Sequence, residues 1–127
     1  MQLKYRLMTK SLNSDNGIEN VFETEYVDYS ERTEDEFIVI NFTDEKDFNC
    51  EAKISHSDIH LAYAAQRLYL KKHQRIVNKL MLNEKEGLDL EFYLKEVEIS
   101  PNIIAFSYDI LSGGEILVEN RAEMLIK

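Results

Sequence analysis

Tryptophan is absent from this chain, and proline and cysteine each occur once. With Cys50 alone, no intrachain disulfide can form, which points to a reducing compartment. The single proline, Pro101, stands where a strand should end, a position that tolerates a residue unable to donate to a ladder. Long apolar runs are also missing. Phe37 to Ile40 is typical of the longest, far short of a membrane-spanning helix. Lys4, Arg6 and Lys10 interrupt the apolar residues near the start, so no secretory segment is expected. The chain lacks G-x-G-x-x-G, P-loop and C-x-x-C motifs, which removes the common nucleotide and dithiol chemistries.

Acid is missing from one stretch and abundant in another. Residues 61–82 hold Arg67, Lys71, Lys72, Arg75 and Lys79 and no Asp or Glu, whereas residues 13–51 carry thirteen acidic residues against Arg32 and Lys46. The net charge of −9 argues against broad nucleic-acid affinity, which rests on phosphate neutralisation. The basic stretch is either a solvated face or an anion site.

What the chain does have is alternation. Leu88, Leu90, Phe92 and Leu94 share one parity, with Asp89, Glu91, Tyr93 and Lys95 between them, the mark of a strand with one buried side. The parity then switches to Val97 and Ile99, and a one-residue bulge near Lys95-Glu96 would return both to the core face. Ile104, Phe106, Tyr108 and Ile110 form the next apolar face. Ser112-Gly113-Gly114 closes a hairpin, with Ile116, Val118, Ala122, Met124 and Ile126 inside the last strand. Upstream, residues 2–12 read as a strand, Asn13 to Gly17 as a turn, 18–29 as a second strand and Glu31 to Glu36 as a charged loop. Phe37 to Phe42 is a third strand. Phe48, Cys50, Ala52 and Ile54 line one side of a fourth after a polar turn at Thr43 to Asp47.

Residues 58–82 support two readings. Ala62, Ala64, Ala65, Gln66, Arg67 and Leu68 favour a helix capped by Ser57 or Asp58. The parity of Ile59, Leu61 and Tyr63, then of Leu68 and Leu70, favours strands. A single domain over 1–127 follows from length alone. Its expected architecture is an all-β antiparallel barrel of about eight or more strands, the alternative being α+β with a helix over 58–82.

The order of these segments resembles the YwiB-like family of short uncharacterised bacterial proteins with a calycin-like (lipocalin-like) β-barrel. The resemblance is carried by Glu51-Ala52-Lys53-Ile54, Ile59-His60-Leu61, Lys85-Glu86-Gly87 leading into Leu88 to Ile99, Phe106 to Leu111 and Gly113-Gly114-Glu115-Ile116. It implies that the middle segment is strands and that the protein is cytoplasmic, and it brings no catalytic residues. Two departures stand out. Ala64-Ala65-Gln66-Arg67 occupies the place where an arginine-plus-glycine pattern is expected, and without tryptophan the lipocalin glycine-x-tryptophan signature is missing.

No catalytic residue, cofactor or metal site is assigned. His56 and His60, four apart, suit zinc only on a helix, and no glutamate follows His56. Cys50, His56 and Asp58 supply the types of a thiol nucleophile system, but the parity of Cys50 makes it a core thiol. The Asp44 to Asp47 turn lacks the oxygen ligands of a calcium loop. The candidate ligand-binding residues are Tyr63, Arg67, Tyr69, Lys71, His73 and Tyr108: were the polar face of 67–73 turned inward, a small barrel would gain an anion-binding interior with aromatic walls. Tyr5 and Tyr26 could add polar tips. The expected function is binding of a small, partly apolar anionic ligand. The alternative is a protein-interaction module using the basic 67–79 stretch or the acidic 19–28 strand, with no membrane partner in either case.

Overall fold

The computed structural model describes residues 1–12 and 19–127, and all of its regular structure is β. The turn expected at Asn13 to Gly17 lies outside the described residues. Among the described residues eleven strands follow one another: β1 (Gln2–Ser11), β2 (Glu19–Glu23), β3 (Val27–Glu34), β4 (Phe37–Thr43), β5 (Asn49–Ile54), β6 (Asp58–Tyr63), β7 (Gln66–Lys71), β8 (Arg75–Met81), β9 (Gly87–Ile99), β10 (Ile103–Ser112) and β11 (Glu115–Ile126). They form one antiparallel sheet in the order β7-β6-β5-β4-β3-β1-β11-β10-β9-β8, with β2 also paired to β1. The sheet rolls into a nearly closed barrel, an arrangement that leaves little edge to pair with other chains.

The helical alternative for 58–82 is wrong, and the backbone shows why. Ala64 (φ 52°) and His73 (φ 60°) both adopt left-handed conformations at the β6–β7 and β7–β8 turns. Each would break a helix, and single left-handed residues outside glycine belong to turns. Two further corrections concern the acidic region. The strand expected over 18–29 is interrupted at Thr24, whose Oγ1 accepts from the Tyr5 amide at 3.0 Å while its own N–H donates to the Tyr5 carbonyl at 2.9 Å. The expected loop at Glu31 to Glu36 is largely strand, since β3 runs to Glu34 and pairs along β4 from Tyr29↔Phe42 to Glu34↔Phe37. The turn is only Asp35-Glu36, with Asp35 at φ 55°.

The bulge at Lys95 is present. Ser107 pairs with Glu96 and Tyr108 with Leu94, so Lys95 has no opposite number. Its ammonium lies 2.8 Å from the buried carboxylate of Asp109 on the outer face, an ion pair without hydrogen-bond alignment. The bulge puts Leu90, Phe92 and Leu94 before it, and Val97 and Ile99 after it, on the same core. A second register shift leaves Leu117 between partners, because Leu111 pairs with Ile116 and Ile110 with Val118.

Inside Met1, Tyr29, Ile38, Ile99 and Ile126, which border a depression open to solvent, one end of the barrel is tightly packed. Leu3, Ile54, Ile59, Leu70, Leu94, Ile104 and Met124 are all fully buried there. The other end carries the β4–β5, β6–β7, β8–β9 and β10–β11 turns. Leu12, Phe22, Phe48, Leu82, Leu88 and Ile116, all exposed, ring this second end. Phe48, expected on the inner face of a strand, is therefore a rim residue just ahead of β5.

Candidate functional site

Inward parity at the open end leaves a cavity of about 520 Å³. Volumes of this order hold small organic molecules. β1 contributes Tyr5, Leu7 and Thr9, and β6 and β7 contribute Leu61, Tyr63, Gln66 and Leu68. Leu80 comes from β8, Phe92 from β9, Tyr108 and Ile110 from β10, and Val118 and Asn120 from β11. Phe22 of β2 and Asp44, Lys46 and Phe48 of the β4–β5 turn complete the mouth. Each strand residue is there because its alternate neighbours face outward, so the period-two pattern builds the wall.

The wall is chiefly aromatic and aliphatic. Tyr5 and Tyr63 meet edge-on with centroids 5.3 Å apart, and Phe22 sits against both at 6.3 and 6.4 Å. Deeper in, the Tyr108 ring stacks between Phe92 and Phe106, 5.9 Å from each. Tyr5 and Tyr108 are buried residues on the cavity wall whose hydroxyls donate to no described residue. Neither oxygen is sealed from the cavity: among the described residues the sealed side-chain oxygen without a partner is Asp109 Oδ1. Burial raises the pKa of both phenols, so they remain protonated donors at ordinary pH. Within the wall, where Thr9 of β1 stands directly opposite Asn120 of β11, Thr9 Oγ1 donates to Asn120 Oδ1 at 2.8 Å.

Among the described residues Asp44 is the carboxylate of this wall. Its Oδ2 accepts from the Tyr63 hydroxyl at 2.6 Å, and its Oδ1 from the amides of Lys46 and Phe48 at 2.9 Å each. The two amide bonds fold the turn, as an Asp side chain commonly does. Burial pushes the carboxyl up, but the Tyr63 hydroxyl and the two amides pull it further down, so Asp44 stays ionised below the usual carboxylate range. Tyr63 moves the other way: burial and then the Asp44 carboxylate raise its pKa. Cys50, inward on β5, is pushed up to about 12, first by burial and then by Asp44 and Glu51.

The six residues expected to bind a ligand do not form one site. Tyr63 and Tyr108 line the cavity. Arg67 and Tyr69 lie on the outer face of β7, because Leu68 and Leu70 take the inside. Arg67 donates to the carbonyls of Ala64 and Gln66. Tyr69 packs on His60 at 4.6 Å, and His60 meets Phe37 at 5.7 Å. Lys71 stands opposite Asp58 at the far end of β7, and His73 lies in the next turn with its ring 6.2 Å from Tyr93. Tyr26 packs under the ammonium groups of Lys4 and Lys127, away from the cavity.

Arg67 borders an outer groove of about 1060 Å³ along Tyr29, Asn41, Thr43, Asn49 and Glu51, which is open to solvent. Among the described residues no cluster of three or more His, Cys, Asp or Glu side chains is placed to hold a metal. His56 occupies a turn and His60 the outer face of β6. Sequence reasoning missed Phe22, Phe92, Gln66 and Asp44 as wall residues. For Phe92 the parity signal was present. For Asp44 the only signal was a turn, and its partner Tyr63 lies 19 residues away.

Among the described residues no helix is long and apolar enough to cross a membrane. Neither a family model nor a curated protein matches the chain. Among solved structures, the crystal structure of the ywiB protein from Bacillus subtilis is similar over 99% of this chain and 92% of that one, with a TM-score of 0.67 and 13% identity. At that identity the likeness concerns the backbone alone, and the chain has a YwiB-like fold.

Proposed function

We propose that this chain is a cytoplasmic small-molecule binding barrel, related to the YwiB-like proteins and of the calycin-like kind. The observation that carries the reading is the cavity of about 520 Å³, bounded by buried aromatic and aliphatic side chains, with two phenol hydroxyls that donate to no other described residue. Both hydroxyls belong to cavity-lining residues and open toward the cavity, where a guest or water can accept from them. The apolar residues at the mouth give such a guest a route in. The cytoplasmic assignment is supported by the unpaired, buried thiol of Cys50.

The basic residues that suggested an acidic ligand lie on the outer face, and Lys46 is the cation of the cavity wall. The ligand body is therefore apolar or aromatic, and its charge is a separate question.

The test is titration with the neutral fluorophore N-phenylnaphthylamine. One saturable site per chain is expected, lost in Leu80→Trp, which fills the cavity from β8. Uptake that survives Leu80→Trp would place the site elsewhere and sink the reading.

A second reading is favoured by one observation. Among the described residues Arg67, Lys71 and Lys72 pair with no carboxylate, and with Tyr69 they leave a basic, partly aromatic outer face available to a protein partner. Charge reversal at Arg67 and Lys71 should then abolish capture of a partner in a pull-down while Arg121→Glu does not. It should leave fluorophore uptake unchanged.

A further inference from the structure

We infer that the mouth of the cavity is a site for an organic cation, so that the guest is an ammonium-bearing molecule with an apolar or aromatic body. This rests on the binding-barrel reading and adds the charge of the ligand. The first observation is ring geometry. Tyr5, Phe22 and Tyr63 are mutually steep, at interplanar angles of 61°, 70° and 73°, and so form the corner of a box. Faces of aromatic rings carry the negative part of the ring quadrupole and attract cations, quaternary ammonium groups above all.

The second observation is the position of charge in the same wall. Asp44 is 5% exposed and ionised, and it lines the cavity beside Tyr63. Three donors reach its two oxygens: two amides on Oδ1 and the Tyr63 hydroxyl on Oδ2. A carboxylate offers about four acceptor positions, so Oδ2 keeps capacity for one more donor or for a nearby positive charge. Among the described residues the one cation of the wall, Lys46, is exposed, and its flexible stem lets the ammonium move into water.

The third observation is the field. The turn at the mouth holds Asp44, Glu45 and Asp47 against Lys46, on a chain of net charge −9. A cleft bordered by one sign of charge concentrates the opposite ion. Arg67 and Lys71 of β7 are on the far side of the wall and cannot neutralise it from within.

Three probes with one apolar body separate the outcomes: phenylbutyltrimethylammonium, phenylbutanol and phenylbutylsulfonate, titrated calorimetrically into the whole chain. The ammonium probe should bind about tenfold tighter than the alcohol, and the sulfonate weakest. Asp44→Asn should remove that preference, so that the ammonium probe binds no tighter than phenylbutanol. Because Asp44 also folds its turn, Lys46→Ala gives a check at an exposed side chain: ammonium binding should strengthen severalfold. Equal affinity for the three probes, preference for the sulfonate, or ammonium binding that Lys46→Ala leaves unchanged or weakens overturns the cation site while the binding barrel stands. Uptake of none of the three removes both.

Discussion

Asn78 replaces a strand partner for Tyr69. Its Oδ1 accepts from the Tyr69 amide and its Nδ2 donates to the Tyr69 carbonyl, both at 2.8 Å. Nearby, Gln66 does the same in reverse, donating to the Lys79 carbonyl at 2.8 Å and accepting from the Met81 amide at 2.9 Å. β7 and β8 are the two ends of the sheet path, and these carboxamides bridge the seam between them.

Asn78→Ala should therefore loosen the barrel without emptying its core. The freed groups of Tyr69 are partly reachable by water, so the expected cost is about 1–2 kcal/mol. Urea denaturation measures it, and amide exchange at Tyr69 and Met81 should speed up selectively. Asn78→Asp, which cannot donate to the carbonyl, should lose part of the same stability.

Phe106 and Arg67 make a contrasting pair. Phe106 is 1% exposed and stacks on Tyr108. Phe106→Ala is expected to cost about 3–5 kcal/mol through the cavity it leaves. Arg67→Ala, on the outer face, should stay within about 0.5 kcal/mol of wild type. A large loss at Arg67 in thermal or urea unfolding would mean that the outer face is covered by something the chain itself supplies.

Acid should weaken the fold through Asp44. Its folded pKa lies below the unfolded value, so the native state favours the ionised form. That contribution is present above the unfolded carboxylate range, about pH 4, and is lost as pH falls through the folded pKa. Tyr63→Phe removes the 2.6 Å bond to Asp44 and should narrow the difference in stability between pH 7 and pH 3. An identical difference in wild type and variant, measured by urea midpoints, would separate Asp44 from the acid response.

Alkali acts through Cys50. With the folded thiol pushed up to about 12, the unfolded chain loses its thiol proton first as pH rises past about 8.5. The unfolded state then binds fewer protons than the native one, so stability falls with rising pH across that interval. In the native protein at pH 8 Cys50 should react with a thiol reagent far more slowly than in urea. Equal rates would show that the thiol is not buried.

The barrel was legible because its last forty residues alternate cleanly. Leu90, Phe92 and Leu94 on one parity and Val97 and Ile99 on the other left a bulge at Lys95 as the only way to keep one core. Residues 58–82 were not legible from pattern alone. Ala62, Ala64 and Ala65 are strong helix formers, and the left-handed turn residue at Ala64 is a type that seldom signals such a backbone. The same ambiguity hid the direction of Arg67, Tyr69 and Lys71. Once 66–71 is a strand, Leu68 and Leu70 claim the interior and the basic residues must face out. Tyr63 and Tyr108 were named from parity, while the bond from Tyr63 to Asp44 depends on the folded approach of a turn to a strand and leaves no local mark.

The central claim is that guests enter the barrel and do not bind its basic outer face. Chemical-shift mapping of the labelled protein with phenylbutanol tests it most directly. The account predicts shifts concentrated at Tyr5, Tyr63, Phe92 and Tyr108, with contacts from the probe to their rings. Shifts confined to Arg67, Tyr69 and Lys71, or none at saturating probe, would contradict it.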